Sequence, residues 1–195
     1  MFERTVMTAR KTLFTAGTAF VLLLGSLGAA EMKADEKPPL VIPAKGFSFS
    51  VRQPDGWQAD EQAMKKYQAS LAFSKAAEPG KEPDVTIVVI AKQKVNENVA
   101  LSLESDKNAY RQREPNVRFE PLDVKHPLYV AFPQLFSKSG EFYVYTTYLN
   151  PKGFKPYFSV VMPKKKTPAT PEELAAYKEV LESLRVIPDS GAGTE

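Results

Sequence analysis

Three apolar runs follow one another between residues 128 and 163, joined by links too short to hold a helix. LYVAFPQLFSK leads to EFYVYTTYLN through Ser139-Gly140, and EFYVYTTYLN leads to FKPYFSVVMP through Asn150-Pro151-Lys152-Gly153. Parallel neighbours need a crossover of roughly a dozen residues or more, so links of this length make antiparallel hairpins. The aromatics of the middle run occupy both parities, with Phe142 and Tyr148 on one face and Tyr143 and Tyr145 on the other. Both faces of that strand must then be covered, at least in part.

The preceding chain adds strands to the same sheet. DVTIVVIAK (residues 84–92) is apolar on both faces between Val85 and Ala91, the pattern of a central strand. ASLAFSK (69–75) and NVRFEPLDVK (116–125) also read as strands. FSFSVRQPDGW (47–57) opens with period-two alternation, Phe47, Phe49 and Val51 against Ser48, Ser50 and Arg52. It then turns at Pro54-Asp55-Gly56, where proline fixes its own φ and glycine supplies a positive one. Trp57, the chain's one tryptophan, is expected to fold back as an apolar plug on the strand's buried face.

Three helices are expected. ADEQAMKKYQ (59–68) suits a short one. Residues 97–113 place Val99, Leu103 and Tyr110 near one face, with Asp106 interrupting the stripe and Pro115 closing the helix. The last helix is the clearest element, because Thr170-Pro171-Glu172-Glu173 combines an N-cap, a proline at the first helical position and a glutamate three residues after the cap. Leu174, Tyr177, Val180, Leu181 and Leu184 follow as one wide apolar stripe. The expected fold class is α+β, an antiparallel sheet of about six or seven strands with helices packed against it.

Domain organisation follows from composition. Arg4, Arg10 and Lys11 precede LFTAGTAFVLLLG and then GSLGAA, so residues 1–30 read as a signal peptide cleaved after Ala30. The alternative is an uncleaved N-terminal membrane anchor, since Thr12 to Ala30 carries no charge. Residues 31–45 are charged and proline-rich and read as a mobile leader, residues 46–187 as the domain, and residues 188–195 as a disordered tail. The expected location is periplasmic or secreted. The formal charge is +3, but residues 1–30 contribute +2 of it, so the basic pI carries no nucleic-acid signal.

The aromatic first strand running into proline-x-glycine-tryptophan (FSFSVRQPDGW), the mid-chain helix at 97–113 and the terminal YKEVLESLRVI together resemble the PsbP-like family. Its namesake is the extrinsic subunit P of the photosystem II oxygen-evolving complex, and a nuclear-import factor that binds the Ran GTPase shares the fold. The resemblance spans residues 46–187. It implies an α-β-α sandwich used for binding or assembly rather than catalysis, and it carries over no functional residue.

The residues themselves offer little catalytic apparatus. His126 is the single histidine, with no nucleophile or carboxylate motif beside it. With no cysteine and no second histidine, no zinc set is expected. Glu104 with Asp106, and Asp55 with Asp60 and Glu61, lack a calcium-loop pattern and read as solvated carboxylates. Glycines are scattered, so no phosphate-cradling loop is expected, and no cofactor. Lys164, Lys165 and Lys166 read as a solvated loop able at most to touch an anionic membrane weakly. Tyr143, Tyr145, Tyr148, Phe154 and Tyr157 are expected mainly in the core, with a subset free to meet a protein partner. The expectation is a non-enzymatic domain that binds a protein partner or assists envelope assembly. The alternatives are a hydrolase using two carboxylates, or a peripheral membrane binder working through the three lysines.

Overall fold

Alternation of apolar side chains divides the strands of this chain between two sheets. The computed structural model describes residues 37–75, 82–94, 98–139 and 142–188, with the backbone alone for 134–139. The expected signal peptide, residues 31–36 of the expected leader and the tail from 189 onward lie outside them. The strands are β1 (Leu40–Ala44), β2 (Phe47–Val51), β3 (Trp57–Ala59), β4 (Leu71–Lys75), β5 (Thr86–Gln93), β6 (Val130–Ser139), β7 (Phe142–Asn150), β8 (Pro156–Lys165) and β9 (Arg185–Pro188). The helices are α1 (Glu61–Tyr67), α2 (Val99–Arg113) and α3 (Pro171–Ser183). Six strands form one antiparallel sheet in the order β3-β4-β5-β8-β7-β6, and three form a second in the order β1-β2-β9. The fold is α+β, as the hairpin spacing predicts.

β5 and β8 lie at the centre of the large sheet, with Val89 opposite Val160 and Val88 opposite Val161. One face of this pair, formed by Ile87, Val89, Phe158, Val160 and Met162, packs in the main core against β2 and α3. Phe47 and Phe49 of β2 meet the Phe158 ring edge-on at centroid distances of 6.1 and 5.2 Å, a favoured aromatic geometry. Tyr177 of α3 joins the same core and donates its hydroxyl to the Val160 carbonyl at 2.9 Å, so its one polar atom is satisfied. Trp57 sits in this core at 4% exposure, and the turn before it closes through the Trp57 N–H donating to the Pro54 carbonyl, with Gly56 at φ 75°. The opposite face of the sheet is covered only in patches. Ala63 of α1 packs on Ala72 and Val88, and Val99 of α2 packs on Tyr148 and Tyr157.

Three expectations need correction. Residues 40–44, expected in the mobile leader, form β1 and pair with β2 through the two-residue turn Lys45-Gly46, where Gly46 takes φ 83°. Leu40, Ile42 and Ala44 pack on the main core. Residues 116–125 form no named strand; Pro121 lacks an amide donor, and Leu122 and Val124 pack on the core from an irregular segment instead. The final apolar phrase is not wholly helical. α3 ends at Ser183, and the next residues pair with β2 as β9.

The sheet edges are blunted. β3 has three residues, β6 carries Pro133 and a register shift between Gln134 and Ser137, β1 contains Pro43, and β9 ends on Pro188. A missing donor or a bulge stops another strand from extending the ladder.

The start of α3 is fixed by one carboxylate. Glu173 Oε2 accepts from the Thr170 N–H at 2.8 Å, and the Thr170 hydroxyl accepts from the Glu173 N–H, completing the capping box expected from the sequence. Glu173 Oε1 accepts from Lys164 Nζ at 2.7 Å, with the two side chains 6% and 10% exposed. Lys164 is therefore not a solvated loop residue but an inward-facing member of β8. Replacing Lys164 with methionine leaves a buried carboxylate without its cation, and we expect a loss of about 3–5 kcal/mol in chemical denaturation. The Lys164→Met, Glu173→Gln double variant, which removes both charges, should recover part of that loss.

Candidate functional site

The partly covered face of the large sheet is where side chains remain open. Alternate residues of β5, β8 and β7 reach this face and form successive rungs, as the register sets them side by side. Thr86 and Pro163 belong to the first rungs, Val88, Val161 and Thr146 to the next, then Ile90, Ser159 and Tyr148, and last Lys92 and Tyr157. α1 covers one end of this track and α2 the other. Two clefts open on it.

The cleft beside α1 is lined by Tyr67, Phe142, Pro83, Pro163, Lys66 and Lys165, among others. Tyr67 and Phe142 are 38% and 47% exposed, unusual for large apolar side chains facing a concavity. Its two lysines share one carboxylate, because Glu82 lies 2.7 Å from Lys165 and 3.5 Å from Lys66. The hydrogen bond from Lys165 and the charges of both lysines hold the Glu82 carboxyl below the usual range. Asp60 caps α1 through Oδ1, which accepts from the Ala63 N–H at 2.9 Å, while Oδ2 accepts from the Ser74 hydroxyl at 2.6 Å. Partial burial works against ionisation of Asp60, but the Ser74 hydroxyl and the Ala63 and Gln62 N–H groups together outweigh it and lower its pKa.

The cleft beneath α2 has a volume of about 220 Å³. Asp106, which interrupts the apolar stripe of α2 in sequence, faces the sheet here. Its Oδ2 accepts from the Tyr148 hydroxyl at 2.6 Å and from Lys92 Nζ at 3.2 Å. Burial, then the hydrogen bond to Asp106, pushes the Tyr148 phenol far above its ordinary pKa. Tyr148 is thus a fixed donor rather than an acid or base available to a substrate.

The aromatic and lysine residues singled out from sequence do not form one surface. Tyr145 is 6% exposed, and its hydroxyl accepts from the Ala169 N–H on the α3 side of the sheet, where Tyr143 also packs on the main core. Tyr148 and Tyr157 stack at 6.0 Å on the other side, under α2. The half-buried Phe154 lies in the β7–β8 link, where its carbonyl accepts from Lys94 Nζ. Lys164 faces the main core, Lys165 pairs with Glu82, and Lys166 is exposed at φ 66°. Alternation along β8 sends the first two lysines to opposite faces, so the three cannot act as one cationic patch. Sequence reasoning missed Tyr67 and Phe142 as neighbours because they come from α1 and β7, far apart in the chain. The exposed parity of Phe142 at the hairpin end was the available signal.

Among the described residues, no group of three or more His, Cys, Asp or Glu side chains is placed to hold a metal ion, and no helix is long and apolar enough to cross a membrane. Compared with known protein families, the chain matches no family model, and comparison with curated proteins gives no match.

His126 is built into the structure rather than idle on a loop. It is 9% exposed and stacks on Tyr129 at 4.5 Å. Its Nδ1 accepts from the Leu128 and Tyr129 N–H groups at 3.1 and 2.9 Å, which places the ring proton on Nε2, 3.2 Å from the Leu184 carbonyl that accepts it. Arg185 lies 3.3 Å from the same ring. Burial, with the Arg185 charge adding to it and the Leu184 carbonyl opposing, holds the imidazole below its ordinary pKa. A second proton would also point Nδ1 at two donors. The unfolded chain therefore takes up this proton first, and stability is lost as pH falls from the unfolded value of about 6.5 toward the lower folded value. Thermal melts should show that slope between about pH 7 and pH 5, and a His126→Gln variant should flatten it whatever its absolute melting temperature.

Proposed function

We propose that this chain is an exported, non-catalytic domain that engages a protein partner in the cell envelope through the cleft beside α1. The observation that carries this reading is the exposure of Tyr67 and Phe142 around a concavity they share with Pro83 and Pro163. Aromatic side chains of this kind supply most of the energy at protein interfaces, and a charged rim sets the register. The rim here is Lys66, Glu82 and Lys165, already paired and lying at the surface. The PsbP-like pattern of residues 46–187 and the leader-like start of the chain support the same reading, the first for binding and the second for export.

Catalysis by paired carboxylates is the weaker reading. Asp60 is spent on capping α1 and on Ser74, and Asp106 holds Tyr148 and Lys92. Each carboxylate is thus occupied where a hydrolase needs one free to take or give a proton. A membrane role for Lys164–Lys166 loses its cation count to Glu173 and Glu82.

Two measurements test the proposal. A photoreactive residue at position 142 should give discrete adducts in cells. The same residue at position 187, which is exposed on β9, should not, and Tyr67→Ala should weaken the adducts from position 142. Identical adducts from both positions, or none from 142, would remove the interface. The intact mass of protein recovered from the envelope should correspond to a chain beginning at Glu31; a full-length mass would overturn cleaved export.

A further inference from the structure

We propose that the cleft beneath α2 binds a small organic carboxylate, at a site separate from the aromatic cleft beside α1. Its volume of about 220 Å³ suits a small molecule, since sites for drug-sized ligands hold roughly 300–1,000 Å³.

Besides Tyr148, the cleft holds three hydroxyls and two cations able to donate, against one carboxylate that can only accept. Thr146 and Ser159 bring their hydroxyls to part of its floor at 4% and 2% exposure. Tyr110 lines the wall formed by α2. Burial and the nearby Asp106 charge raise the pKa of its phenol, so it keeps its proton at neutral pH and can donate. Lys92 and Arg113 add two cations. Against these stands one carboxylate, Asp106, whose Oδ2 already receives Tyr148 and Lys92. A ligand that supplies acceptors and one negative charge completes this set.

Charge and shape narrow the class. Two cations against one anion leave a surplus of one positive charge, which matches a monocarboxylate better than a phosphate dianion. The planar guanidinium of Arg113 can pair with both oxygens of a carboxylate. Ile90, Val161 and Ala109 form apolar parts of the wall, so the ligand has a hydrocarbon body as well as a charged end.

The test is a titration of the whole protein with benzoate, benzamide and inorganic phosphate, followed by backbone amide NMR. Benzoate should give saturable shifts at Thr146, Ser159 and Ile90, with none from the uncharged benzamide. Arg113→Gln should weaken benzoate about tenfold with no change in melting temperature. Asp106→Asn should tighten it, because the competing charge is gone and Lys92 is released, an effect that a merely structural Asp106 would not produce. Lack of saturation at millimolar benzoate, equal binding of benzamide, tighter binding of phosphate, or indifference to Arg113→Gln would each overturn the proposal. None of these outcomes depends on whether Phe142 contacts a protein partner.

Discussion

Phe158 holds the two sheets together. It lies near the start of β8, at full burial, with the rings of Phe47 and Phe49 against it. Without a cover on that side, β5 and β8 would expose Ile87, Val89, Val160 and Met162 to water, and an apolar face of this size must be packed against a second layer. Three short strands and α3 supply the cover. Their own stability draws on the same contact, since short strands need an apolar face to pack. Truncating Phe158 would remove contacts in both layers at once, at a typical cost of about 3–5 kcal/mol for a buried aromatic.

Coverage of the large sheet is unequal on its two faces. On the α3 side the polar groups are closed off in pairs: Glu173 with Lys164 and Thr170, and Tyr177 with Val160 and Thr147. On the other side α1 and α2 leave gaps, and the side chains that line them run from buried to exposed and are chemically mixed. Loops and partly covered faces are where proteins place recognition, because a sealed core has no surface to offer.

Much of the fold could be read from residue patterns, and the failures have physical causes. The NPKG link and the both-face apolar run at 84–92 identify β5, β7 and β8 because hairpin geometry and double burial leave local marks. The capping box of α3 is equally local. β1 is hidden by Pro38, Pro39 and Pro43, which resemble a linker, although Leu40, Ile42 and Gly46 carry a hairpin signal. β9 is hidden because Leu184 continues the helical spacing after the helix has ended. The lysine run could not reveal that Lys164 has a partner nine residues later, across a turn. Neither cleft was legible, since each gathers side chains from several elements that only the strand register brings together.

The pairing of Phe47 with Pro188 ties the first part of the described domain to its last residues. β2 has β1 beside it in sequence, but its other neighbour, β9, comes from the far end of the described domain. The small sheet, and with it the cover on Phe158, is therefore complete only once the two ends of the described domain have met. Contacts between segments this far apart in sequence form late, because a long loop must close before they contribute, so the layer over Phe158 settles as one cooperative step rather than strand by strand.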